Sequence, residues 1–254
     1  MRVLVLIPTF NRAGLVPFAL NAIAAQTYAD WEALVYDDGS SDGTPQAVEA
    51  WRKAQPADIR RRVALEVARE NRGIGYVRRY LAESFLASGR DLAAWQDSDD
   101  SCTPDRLTRQ VTRLWRDQAD VCYCDIAWSN AVDGPWRDTG PHIRHRDPSN
   151  WADLWGREDL EAFRDAYNSG TAVFRPNVAE LVPSELPIRR GGYDSLWCWA
   201  QIQSRVKVAY IPAPLYLGRL HPEQLTKLRC APEVWAEAQR EDAAIAEEMR
   251  RMRG

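Results

Sequence analysis

Several things are missing from this chain, and each absence excludes a class of protein. No apolar run approaches the roughly 18 residues that a membrane-crossing helix needs. The first such run, Val3-Leu4-Val5-Leu6-Ile7, is strand-sized and stops at Pro8. It lacks the small-residue cleavage site of a secretory leader, so no membrane span or export signal is expected. Paired cysteines are missing too. Cys102, Cys122, Cys124, Cys198 and Cys230 are odd in number, and no two form a C-x-x-C pair. That argues against a disulfide framework and for a reducing cytosol. Cys122 and Cys124 would share one face of a strand, but a zinc site would need two further ligands nearby. Neither charge dominates: 33 basic residues, nearly all Arg, face 36 acidic ones, for a net −3. Nucleic acid is therefore not an expected partner. No G-x-G-x-x-G follows the first strand, where a nicotinamide cofactor would need it; Gly73-Ile74-Gly75 runs into Tyr76-Val77-Arg78 instead. Internal repeats and low-complexity linkers are also absent.

What is present suits a folded domain. The 254 residues are 45% apolar and 27% charged, enough to bury a substantial core. Short apolar runs at Val3–Ile7, Ala33–Tyr36, Val63–Val67 and Leu92–Trp95 predict strands. Helical spacing predicts helices over Leu15–Ala25, Thr44–Lys53 and Gly75–Ala87. Strands alternating with helices predict an α/β fold, with a mostly parallel, Rossmann-like central sheet and helices on both faces. Farther on, Pro104–Trp115 reads as a helix with Arg106, Arg109 and Arg113 on a solvent stripe. Val121–Trp128 reads as an alternating strand, and Ala172–Phe174 and Val206–Ile211 as further strands. Tyr193–Gln203 and Pro232–Arg253 read as helices. One continuous domain, 1–254, is expected, with a first half at 1–105, a second at 106–225 and a helical tail at 226–254.

In sheets of this kind ligands bind beyond the carboxyl ends of the strands. Four polar loops are expected there: Pro8-Thr9-Phe10-Asn11, Asp37-Asp38-Gly39-Ser40, Arg69-Glu70-Asn71 and Asp97-Ser98-Asp99-Asp100. Three carboxylates within four residues repel one another unless a cation or strong donors hold them. Hard divalent cations take carboxylate and phosphate oxygens. Turn and helix-cap chemistry also explains each acidic loop taken alone.

Taken together, Pro8-Thr9-Phe10-Asn11-Arg12, Asp37 to Thr44, Asn71-Arg72-Gly73 and Asp97-Ser98-Asp99-Asp100 resemble, in order and spacing, the family 2 glycosyltransferases of GT-A fold. The resemblance implies metal-assisted, inverting transfer of one sugar from a nucleotide diphosphate sugar to an acceptor hydroxyl. It places Pro8, Thr9 and Phe10 around the nucleotide base, which Asp38 contacts through an N–H; a UDP-sugar is the expected donor. Asp97 falls at the ribose, Asp99 at a Mn²⁺ or Mg²⁺ ion bridging the phosphates, and Arg79 at the nucleotide. Two later segments match as well. Gly192-Tyr193-Asp194-Ser195 resembles the helix start that carries the family's catalytic base, here Asp194. Arg219-Leu220-His221 resembles its late Arg-x-His, with His221 near the metal.

Tryptophans in the irregular stretch after residue 128, among them Trp136, Trp151 and Trp155, are candidates for stacking on an acceptor sugar. His142 and His145 lie there in a small basic loop. The acceptor is expected to be a glycan, a lipid-linked sugar or another hydroxyl in surface polysaccharide or glycoconjugate synthesis. The protein is expected in the cytoplasm, with peripheral contact at the inner face of the membrane. A sugar nucleotidyltransferase would show a glycine-rich, basic opening loop, which is absent. A silent carbohydrate-binding protein on the same fold would not need Asp38, Asp97, Asp99 and Asp194 together.

Overall fold

A computed structural model of the chain describes residues 1–129, 142–143, 169–181 and 206–221. The first strands and helices alternate as β1 (Val3–Thr9), α1 (Val16–Ala24), β2 (Trp31–Asp37), α2 (Thr44–Ala54), α3 (Ala57–Arg62), β3 (Val63–Val67), α4 (Ile74–Ser88) and β4 (Leu92–Trp95). These four strands are parallel and lie in the order β3-β2-β1-β4. The order reverses between β1 and β4, and in open α/β sheets such a switch point is where ligands bind, beyond the strands' carboxyl ends.

Beyond β4 the sheet becomes mixed. The next elements are β5 (Ser101–Cys102), α5 (Arg106–Asp117), β6 (Val121–Ser129), β7 (His142–Ile143), β8 (Val173–Phe174) and β9 (Val208–Arg219). β8 runs antiparallel between β4 and β6, while β6 and β9 pair in parallel. β1 and β4 are buried at every position because both faces of the central sheet are covered, whereas the edge strand β3 leaves Ala64, Glu66 and Val67 exposed. On one face Leu4, Leu6, Ala93 and Trp95 pack with Val77, Leu81 and Phe85 of α4. On the other, Val3, Val5, Ile7, Leu92 and Ala94 pack with α1, α2 and α5. For the same reason β6 is buried almost throughout rather than alternating as expected.

Two further expectations about the second half need correction. β9 does not stop at Ile211 but continues through Pro212 and Pro214 to Arg219. Proline cannot donate to a ladder, so two of them are unusual inside a paired strand. The pairing with β6 absorbs the prolines in an irregularity on either side of Asp125. The second correction is Arg106, which is fully buried rather than on the solvent stripe. Its Nε donates to Gln110 Oε1 (3.0 Å) and its Nη1 to Gln96 Oε1 (3.0 Å). Nη2 donates to the carbonyls of Trp95 (2.9 Å) and Gly170 (2.8 Å), and the guanidinium lies 5.0 Å from the centre of the Tyr216 ring.

No described helix is long and apolar enough to cross a membrane. Cys122 and Cys124 are both in the core, where burial raises the Cys124 thiol to about 12. That environment suits packing rather than metal binding.

Candidate active site

The carboxyl ends of β1 and β2 are knitted together by their own loop side chains. Asp37 accepts the backbone N–H of Ser40 (2.9 Å) through Oδ1 and its hydroxyl (2.6 Å) through Oδ2. Asn11, in the left-handed region at φ 51°, donates its N–H to Ser40 Oγ (2.7 Å) and accepts the Ser41 N–H at Oδ1 (2.9 Å). Arg12 N–H reaches Thr44 Oγ1 (2.7 Å), and Ala13 N–H reaches Asp42 Oδ2 (3.0 Å).

Asp38 closes the next gap. It is 2% exposed, and its two oxygens accept the N–H groups of Arg72 (2.9 Å) and Gly73 (2.8 Å). Burial pushes its carboxyl upward, and those two hydrogen bonds pull it partly back. A carboxylate offers about four acceptor positions, and these N–H groups take two of them. Gly39 lets the loops touch: at φ 75°, a Cβ there would lie 2.7 Å from the carbonyl carbon of Glu70. Beside Asp38, whose N–H bonds the Thr9 carbonyl (2.9 Å), the buried Thr9 hydroxyl has no hydrogen-bond partner among the described residues. Leaving such a group unmet costs roughly 1–3 kcal/mol, so a partner that reached it would gain a hydrogen bond there. Phe10 is 41% exposed, so its ring is available to a planar ligand.

The loop after β4 is held by charge. Asp97 Oδ1 accepts from Arg78 Nη2 (2.9 Å), and the Asp97 N–H donates to the Tyr216 hydroxyl (3.0 Å). Asp99 Oδ2 accepts from Arg12 Nε (3.1 Å) and lies 2.9 Å from His221 Nε2. Burial works to raise the Asp99 carboxyl, but His221 and Arg12 outweigh it and hold it below its ordinary value. Its neighbour Asp100 is pushed the other way, well above the carboxylate range, by burial and by the charges of Asp99 and Asp97. Asp100 accepts the Arg219 N–H (2.8 Å), while Arg219 Nε donates to the Asp99 carbonyl (3.2 Å). The end of β9 therefore cradles the acidic loop from below.

Pro8, Thr9, Phe10, Asp38, Asp97, Asp99 and His221 all stand along this one edge of the sheet. Arg79 points elsewhere, 3.9 Å from Glu83 and over the Tyr76 ring at 5.6 Å. The α4 residue that meets the acidic loop is Arg78, which shares its buried stripe with Ala82 and Phe85. That i, i+4, i+7 spacing was the available signal for it. Arg12, Arg219 and Tyr216 are further members of the site to which the sequence alone assigned no role. Asp194, Trp136, Trp151 and Trp155 lie outside the described residues, as do His145 and the helical tail.

The side chains that would hold a divalent cation here are few. Among the described residues no group of three or more His, Cys, Asp and Glu side chains forms a cage. Asp99 and His221 supply two donor side chains at one point. Mg²⁺-type sites commonly use one or two carboxylates and complete their shell with substrate phosphates and water. With two protein donors, a cation there would need phosphate oxygens and water to complete its shell.

Comparison with known proteins bears on the fold and the family. EpsH of Bacillus subtilis is 25% identical over 222 residues, covering 85% of this chain and 60% of EpsH. The Escherichia coli UDP-Glc:alpha-D-GlcNAc-diphosphoundecaprenol beta-1,3-glucosyltransferase WfgD is 28% identical over 132 residues, 51% of this chain and 48% of WfgD. The chain thus spans less than two thirds of either relative. Among solved structures, S. aureus TarS (residues 1–349) superposes with a TM-score of 0.64 at 19% identity, covering 96% of this chain and 65% of TarS. The mannosyltransferase PcManGT from Pyrobaculum calidifontis, in complex with GDP-Man and Mn²⁺, gives 0.61 at 19% identity over 96% of this chain and 69% of PcManGT. The fold is that of the GT-A glycosyltransferases. Residues 4–182, which carry both acidic loops and the strands beneath them, match the model of glycosyl transferase family 2, and the chain belongs to that family.

Proposed function

We propose that this chain transfers one sugar from a nucleoside diphosphate sugar, with UDP as the nucleotide, to an acceptor hydroxyl with inversion at the anomeric carbon. The observation that carries the reading is the convergence of Asp38 and Thr9 with Asp97, Asp99 and His221 on one edge of the sheet, at the switch point. The first pair suits a nucleobase and the second group a ribose and a cation-bound diphosphate. Relatives lend support. TarS has been crystallised with UDP-GlcNAc, and WfgD is named for a UDP-Glc donor and a diphosphoundecaprenol-linked acceptor.

Asp99 and His221 would hold Mn²⁺ or Mg²⁺, whose charge would neutralise the departing diphosphate. Asp38 accepts a base N–H, a role that uracil N3–H fits, and the Thr9 hydroxyl finds a partner on the same ligand. Asp97, kept in place by Arg78, receives the ribose hydroxyls. On the acceptor side Asp194 is the base. It takes the proton of the acceptor hydroxyl as that oxygen bonds to the anomeric carbon and the bond to the nucleoside diphosphate breaks. Trp136, Trp151 and Trp155 are the candidate acceptor platforms. A glycan or lipid-linked acceptor in surface polysaccharide synthesis fits, with the protein working in the cytoplasm at the inner membrane face.

Incubation with a panel of UDP-, GDP- and dTDP-sugars and Mn²⁺, reading release of nucleoside diphosphate, tests the proposal. Release from at least one UDP-sugar is expected. No release from any donor, with or without a mixed glycan and lipid-linked acceptor pool, would overturn it.

A further inference from the structure

The cation beside Asp99 in this structure belongs to the chain itself. Arg12 Nε donates to Asp99 Oδ2 at 3.1 Å, with the two side chains only 14% and 17% exposed. The same oxygen lies 2.9 Å from His221 Nε2, so it faces two partners at once. The guanidinium also donates through Nη1 to the Asn11 carbonyl (2.9 Å). The backbone beneath it is pinned at three successive residues. Asn11 N–H is held by Ser40 Oγ, Arg12 N–H by Thr44 Oγ1 and Ala13 N–H by Asp42 Oδ2. Arg12 is thus a long side chain on a fixed stem, set between the two acidic loops.

We propose that Arg12 is an exchangeable counter-ion: it neutralises Asp99 in the donor-free protein and passes to the diphosphate oxygens when a nucleoside diphosphate binds with its divalent cation. This rests on the reading of the edge as a nucleotide-diphosphate site. A guanidinium and a divalent cation repel each other in a partly buried site, so they compete for the Asp99 carboxylate. The donor brings the anion that the displaced arginine needs, and a planar guanidinium fork suits phosphate oxygens. Arg78, Arg219 and His221 already have partners in the acidic loop and need not move. One consequence is that Asp99 is masked from a cation arriving alone, so cation and nucleotide bind as a unit.

The test uses the full chain and Arg12→Gln, which keeps polarity but loses the charge. Electron paramagnetic resonance of free Mn²⁺ gives the affinity for the ion alone. Calorimetry in Mn²⁺ gives affinities for UDP and GDP and for uridine and guanosine. A charge-assisted hydrogen bond is worth roughly tenfold or more in affinity. Arg12→Gln should therefore bind Mn²⁺ alone about tenfold more tightly than wild type, and the diphosphate about tenfold more weakly. The nucleoside should bind both proteins equally. Equal Mn²⁺ affinity, or an unchanged diphosphate affinity, would overturn the exchange. So would parallel loss of nucleoside and diphosphate, which would make Arg12 a support of the loops. A wild-type chain that binds neither UDP nor GDP would overturn the donor-site reading itself, and the exchange with it.

Discussion

The Tyr216 hydroxyl accepts the backbone N–H of Asp97 at 3.0 Å, joining the last long strand to the acidic loop across 119 residues of sequence. The Tyr216 ring lies against the buried Arg106 guanidinium, which also holds Gln96, the residue before Asp97. Gln96 Nε2 in turn donates to the Asp97 carbonyl at 3.2 Å. The conformation of Asp97 is thus governed from both sides by one buried arginine and its two neighbours.

Arg106→Met should accordingly be among the more damaging single changes in the chain. It leaves two glutamine oxygens and two buried carbonyls without their donor, and is expected to cost about 3–5 kcal/mol. Tyr216→Phe removes one partner and should cost about 1–2 kcal/mol. Urea unfolding monitored by tryptophan fluorescence measures both. A loss for Arg106→Met within about 0.5 kcal/mol, as for a surface position, would contradict the described packing.

How far the sequence could be read follows from residues like these. The first four strands and their helices were legible because each apolar run and each helical stripe is a local pattern. The acidic loops were legible as strand-end chemistry, and their joint meaning came from resemblance to a family. Arg106 was not legible. It lies four residues before Gln110 on the stripe of Leu107, Val111 and Leu114, but a charged residue there reads as solvent-facing until its distant acceptors, Trp95 and Gly170, are known. The choice of Arg78 over Arg79 was legible in part, because Arg78 shares the buried face of α4 with Ala82 and Phe85, but that this face meets Asp97 is set by tertiary packing. The meeting of Asp99 with His221 spans 122 residues, so no local pattern encodes it.

Glycine at position 39 should be required by geometry. Gly39→Ala must adopt φ near 75° with its Cβ against the Glu70 backbone, for an expected cost of at least about 2 kcal/mol. It should also weaken UDP binding, because Asp38 loses its grip on the Arg72–Gly73 turn. Gly14, where an added methyl would meet nothing within 4 Å and φ is not positive, is the control. Gly14→Ala should change stability by less than about 0.5 kcal/mol. Thermal unfolding and UDP calorimetry on both variants decide the point.

Asp100 gives a prediction with a definite sign. Its carboxyl is raised in the folded state, so its contribution is fully present below the unfolded value of about 3.9 and is lost as pH rises through the folded value. Asn at this position can still accept the Arg219 N–H but carries no charge. In EDTA, Asp100→Asn should gain stability relative to wild type as pH rises above about 4, and the gain should disappear below that value. A difference that stays constant from pH 3 to 8 would contradict the assigned environment.

Asp194 is the proposed base, and Asp194→Asn separates chemistry from binding. Turnover should fall by roughly 10²–10⁴-fold, the usual worth of a general base. UDP affinity should be unchanged, since the base does not touch the nucleotide. Turnover within threefold of wild type would leave Asp194 as a helix cap, and lost UDP binding would move it into the donor site.

If Asp99 and His221 form a cation-linked diphosphate site, the most direct measurement of it is UDP affinity by calorimetry in Mn²⁺ and in EDTA. Wild type should bind UDP at least about tenfold more tightly in Mn²⁺, as expected for a cation bridging one or two protein donors and a diphosphate. Asp99→Ala and His221→Ala should remove most of that difference while retaining their affinity for uridine. Equal UDP affinity in Mn²⁺ and EDTA for wild type, or an undiminished Mn²⁺ effect in both variants, would contradict the account.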